Sequence, residues 1–127
     1  MNEPMYALLQ KLDEFLVISD QETDWSKPDG VKKFDAKMER QDELMNELEV
    51  LAKEANTLVG RVLRFPMADS YALYVVTRVY KKTVKVRWVM WCDAWMDDRL
   101  GYEGNLDYDY VANTIQGQDN LKKLFSK

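Results

Sequence analysis

The chain has 127 residues, 46% of them hydrophobic and 31% charged, with one cysteine, no histidine and a formal charge of −4. That size and balance fit one globular domain with a single core, not a disordered tail or a pair of domains. Without histidine the commonest general base, transition-metal ligand and neutral-pH switch are missing, and a lone cysteine cannot close an internal disulfide. No apolar run reaches the ~20 residues of a membrane span, and MNEPMYALLQ lacks the basic and apolar blocks of a signal peptide, so a cytoplasmic setting is expected.

Asn2 is a suitable helix cap, Pro4 falls in a first turn, and Met5, Leu8, Leu9, Leu12, Phe15 and Leu16 recur at helical spacing. These residues predict a helix over 4–18. The stretch 19–30 is polar, and Lys27-Pro28-Asp29-Gly30 interrupts any helix through it. Val31, Phe34, Met38, Gln41, Met45, Leu48, Ala52, Ala55 and Val59 then alternate steps of three and four, with Leu44, Leu51 and Leu58 alongside. This predicts a long second helix over 31–59, its stripe covered either by the first helix as a hairpin or by a second copy as a coiled coil. The chain is accordingly expected to be a monomer or a homodimer through the 31–59 helix.

From Gly60 the period changes to two. GRVLRFP reads as a short strand ended by Pro66, and YALYVVTRVY (71–80) with TVKVRWVMW (83–91) reads as a β-hairpin around Lys81-Lys82. Lys-Lys suits a tight primed turn poorly, which leaves room for a four-residue loop. Pairing Val79 with Val84 puts Leu73, Val75, Thr77 and Val79 on an apolar face with Val84, Val86, Trp88 and Met90. The other face then carries Ala72, Tyr74, Val76, Arg78 and Tyr80 against Trp91, Val89, Arg87, Lys85 and Thr83. CDAWMDDRLGYEGN reads as an irregular loop bending at Gly101 and Gly104, LDYDYV (106–111) as a last strand, and 119–125 as a short helix capped by Asp119. The fold class expected is α+β in one domain. A helical arm (1–58) packs on a small bent antiparallel sheet or SH3-like barrel with a C-terminal helix (59–127).

Charge is segregated along the chain. Residues 1–57 hold 14 acidic against 7 basic side chains, 61–87 hold seven cations against Asp69 alone, and 93–109 hold six carboxylates against Arg99 alone. Such a pattern bears on association more than on fold. Cys92 follows an apolar strand without a base to activate it, so a buried structural thiol is expected. DDRLGYEGN misses the ligand order of a calcium loop. No catalytic residue, metal site or cofactor is therefore assigned, and the protein is expected not to be an enzyme.

The expected partner surface comprises Tyr74, Arg78, Tyr80, Lys85, Arg87, Trp91, Trp95 and Tyr102, since amphipathic aromatics and arginine are enriched at interface hot spots. The first reading is a small protein-binding inhibitor or accessory factor, of a kind also carried by mobile elements, that occludes or bridges a protein partner. The alternative is a single-stranded nucleic-acid-binding small barrel, with cations on phosphates and rings on bases. A second alternative is an acidic nucleic-acid mimic using Asp13, Glu14, Asp20, Glu22, Asp24, Asp29 and the carboxylates of the second helix. Against all three stands self-shielding, in which the acidic arm or the 93–109 loop neutralises the basic face from within.

Overall fold

The structure is a computed structural model describing residues 3–21, 24–92, 94–95 and 103–114. The expected Asn2 cap, the bend at Gly101 and the Asp119-capped helix lie outside the described residues. Helix α1 spans Glu3–Ser19 and buries Leu8, Leu12, Phe15 and Ser19. Helix α2 spans Gly30–Ala55 and buries Gln41, Leu44, Leu48, Ala52 and Ala55 along one stripe. The two run in opposite directions, as the pairs Lys11–Glu47 (3.1 Å), Glu14–Arg40 and Ser19–Gln41 require.

The stripe on α2 is thus covered by α1 of the same chain. Inside it the Gln41 amide Nε2 donates to Ser19 Oγ at 3.1 Å, while Oε1 has no hydrogen-bond partner among the described residues. A slipped register would bury both side chains unpaired, so this polar pair penalises misalignment of the two helices.

Helix α2 stops four residues short of the expected 59. Asn56 adopts a left-handed backbone (φ 54°, ψ 52°), its N–H donates to Lys53 O at 3.2 Å, and Thr57 N–H donates to Ala52 O at 3.1 Å. This is a Schellman end, which asparagine tolerates better than most residues. The chain reaches the sheet through Gly60 (φ +84°), whose N–H donates to Val76 O at 2.8 Å.

Five antiparallel strands follow: β1 Val62–Pro66, β2 Tyr71–Val79, β3 Thr83–Trp91, β4 Ala94–Trp95 and β5 Glu103–Asp107. The order is β1-β2-β3, with the far edge of β3 shared by β4 near its end and β5 along its first half. The α+β class holds. Among the described residues β1 and β5 do not pair, so the sheet is open where a barrel would close. Helix α3, Tyr108–Thr114, packs against both strands and crosses that gap, with Val111 fully buried and the Tyr110 ring stacked on Phe65 at 5.3 Å.

The expected strand over 106–111 is therefore corrected. Strand β5 ends at Asp107, opposite Thr83, where β3 begins and the pairing partner runs out. Beyond it, Tyr108 and Val111 stand three apart and join the core from a helix, a spacing that the alternation in LDYDYV disguised.

The hairpin register is corrected as well. Val79↔Val84 and Arg78↔Lys85 pair as expected, but the next pairs are Val76↔Val86, Val75↔Arg87 and Tyr74↔Trp88, before Leu73↔Met90 restores the original count. An extra residue at Thr77 in β2 and a compensating one at Val89 in β3 produce this, and the Thr77 hydroxyl donates to Lys85 O at 3.3 Å. Between the two bulges every β2 side chain exchanges faces relative to β3.

The sheet is consequently covered on both sides. Val75, Val89 and Leu73 pack with Leu8, Leu12, Phe15, Leu44 and Leu48 of the helices. Tyr74, Val76, Val84, Val86 and Trp88 pack with Leu58, Leu63 and Val111 on the opposite side.

Candidate interaction surface

The eight expected partner residues do not share one face. Tyr74 is fully buried, its ring centroid 4.6 Å from that of Trp88. Arg87 lies on the helix-facing side and pairs with Asp20, just beyond the end of α1. Its side chain is only 12% exposed against 54% for Asp20. Lys85 meets Glu103 of β5 at 3.0 Å. Arg78, opposite Lys85, is exposed and forms no ion pair among the described residues. Tyr80 is 41% exposed at the hairpin tip. Trp95 stands opposite Met90 in β4, and Tyr102 lies outside the described residues. The single basic and aromatic face is thus divided: two of its cations are neutralised by Asp20 and Glu103, and one of its rings belongs to the core.

Removing either partner of the Asp20–Arg87 pair should have unequal consequences. Asp20→Ala strands a nearly covered guanidinium and should cost about 1–2 kcal/mol, between the values typical of exposed and of buried pairs. Arg87→Met keeps the apolar stem and frees only an exposed carboxylate, so its cost should stay under about 0.5 kcal/mol. Urea unfolding of both variants checks the order; equal losses would mean that the guanidinium is not desolvated.

At the far end of the hairpin from Arg78 and Tyr80, the end of β3 is also presented to solvent. Trp91 is 45% exposed, and its ring meets Trp88 edge-on, with centroids 5.7 Å apart at an interplanar angle of 76°. Trp88 in turn leans on buried Tyr74, while Gly104 on the neighbouring strand leaves the space beside its indole nitrogen. Three aromatic rings therefore run from core to surface. The bulge at Val89 produces this, because it returns Trp91 to the side that carries Trp88 and Tyr74. Alternation alone placed Trp88 and Trp91 on opposite faces.

Cys92, next in the chain, is exposed with a left-handed backbone (φ 52°), not buried as expected, because β3 ends at Trp91 and the turn toward β4 starts there. Two features escaped the sequence reading. Trp25 is exposed and packs on Phe34 at 5.2 Å in the connection between the helices, and the Arg64 guanidinium lies 4.0 Å over the Tyr71 ring. Both pairings cross element boundaries, where no periodicity signals them.

Perturbed ionisations have local structural causes. The Arg40 guanidinium holds Glu14 below the usual carboxylate range, Ser26 does the same for Asp24 through two hydrogen bonds, and burial raises Tyr110 and lowers Arg61. Among the described residues no group of three His, Cys, Asp or Glu side chains could hold a metal ion, and no helix is long and apolar enough to cross a membrane.

Fold and surface together define an α+β chain in which a helical pair covers one face of an open antiparallel sheet and an aromatic ladder emerges at one end of its central hairpin. Comparisons with protein-family models, with curated proteins and with solved structures each find no match.

Proposed function

We propose that the protein is a non-enzymatic, cytoplasmic binding protein, an inhibitor or accessory factor, that docks on a protein partner through the Trp91 end of β3. In this reading the open sheet, with α3 packed on both β1 and β5, is a small barrel of SH3-like type whose last seam is helical. The observation that carries the proposal is the anchoring of Trp91. Its ring is held edge-on by Trp88, so it can bury a large amphipathic surface against a partner while losing little side-chain freedom. Tryptophan is among the residues most enriched at interface hot spots.

Trp91→Ala tests the proposal, because its half-exposed ring is dispensable for folding on this reading. The variant should remain folded, its stability lowered by no more than about 1.5 kcal/mol through loss of the ring contact with Trp88, while losing about 2 kcal/mol or more of partner affinity, roughly 30-fold in Kd. Co-purification from the native host followed by titration of the captured partner measures both. Undiminished capture by the variant would remove Trp91 from the interface.

A further inference from the structure

The opposite end of the same hairpin carries a chemically different cluster. Arg78, Tyr80, Lys81 and Lys82 are all exposed. Lys85 and Arg87 farther along the hairpin are held by Glu103 and Asp20, but none of Arg78, Lys81 and Lys82 forms an ion pair among the described residues. The turn that presents them is fixed: Tyr80 N–H donates to Thr83 O at 2.8 Å, and the Tyr80 carbonyl accepts the Tyr108 hydroxyl of α3. Thr83 and Trp91 bound β3, so the tip and the Trp91 surface lie roughly 26 Å apart along the strand and do not overlap.

We propose that this tip binds single-stranded nucleic acid, separately from the protein-docking surface. The three cations supply phosphate contacts, and the exposed Tyr80 ring, flanked in sequence by Arg78 and Lys81, supplies a platform on which a base stacks. Sequence-tolerant single-strand binders combine the same two elements. An acidic peptide would use the cations but gain little from an exposed ring beside them, which favours the nucleic acid. Carboxylates dominate residues 1–57, so phosphate is repelled from the arm and the strand is confined to the tip. A protein with both surfaces would bridge a partner to a single strand.

Fluorescence anisotropy with labelled oligothymidylate of about 12 nucleotides tests this. Wild type should bind at low salt and weaken steadily as salt rises. The double variant Lys81→Ala/Lys82→Ala should lower the slope of log K against log salt by about 1.4, the share of two phosphate contacts on a single strand. Tyr80→Ala should weaken binding ~10-fold at every salt concentration with the slope unchanged. Trp91→Ala should bind as wild type does, which separates failure at the tip from failure of the protein-docking reading. Absence of wild-type binding at the lowest salt overturns the proposal, as does binding indifferent to both tip variants. Displacement of the oligonucleotide by polyglutamate at equal charge, with Tyr80→Ala without effect, would instead assign the tip to an acidic protein. Tyr80, Lys81 and Lys82 are exposed, and a cooperative melting curve verifies that each variant is folded.

Discussion

Replacing Tyr74 with alanine is expected to lower the unfolding free energy by about 3–5 kcal/mol, the range for removing a large ring from a packed core. Tyr74 is fully buried among Leu58, Leu63, Val76, Val84 and Val86, and its ring supports Trp88. Loss of that much in a domain of this size takes a large part of its total stability. Urea unfolding followed by tryptophan fluorescence reads the effect directly, since Trp88 loses its neighbour. The outcome discriminates between two assignments of the strand faces. With unbroken alternation Tyr74 is a surface ring, and its truncation would change stability by less than about 1 kcal/mol. A loss that small would discredit the bulges at Thr77 and Val89 on which the present faces depend.

Gly60→Ala should cost about 2–5 kcal/mol for two separable reasons. The residue holds φ +84°, a conformation that costs an L-residue roughly 1–2 kcal/mol. An added Cβ would also run into Leu8 Cδ1, and overpacking of this kind costs about 1–3 kcal/mol. Leu8 is itself fully buried, with Leu48 close behind the same point, so its methyl group has little room to retreat. A double-mutant cycle with Leu8→Ala separates the two contributions. Truncating Leu8 in the Gly60→Ala background should cost less than truncating it in the wild type, because it also relieves the collision. Additive losses would leave backbone strain as the only cause. The position matters because Gly60 is where the helical pair turns into the sheet, with its N–H tied to Val76.

The helices were legible because each has a long one-sided stripe that repeats over several turns. Leu8, Leu12 and Phe15 face Gln41, Leu44 and Leu48 much as spacing alone predicts. The end of α2 was not, since an asparagine in the left-handed region gives a weaker stop signal than a glycine. Strands β1, β2 and β3 were legible from β-branched and aromatic density. Their faces were not, because ALYVV supplies apolar residues to both sides and a bulge has no residue signature of its own. The expected partner surface inherited that error. Arg78, Tyr80 and Trp91 are exposed, whereas Tyr74 and Arg87 exchanged surroundings with the register. The Asp20–Arg87 pair joins positions 67 apart in sequence, beyond the reach of any local pattern.

An unclosed sheet leaves rows of main-chain donors and acceptors along its outermost strands, and such rows recruit strands from other molecules into fibres. Here β1 and β5 each have only five residues. Pro66 removes a donor from the first and Arg64 projects a charge from it, while Glu103, Asn105 and Asp107 stand exposed on the second. Short, charged margins of this kind make runaway stacking of copies unfavourable, and the molecule can leave its seam unzipped without becoming a seed for amyloid.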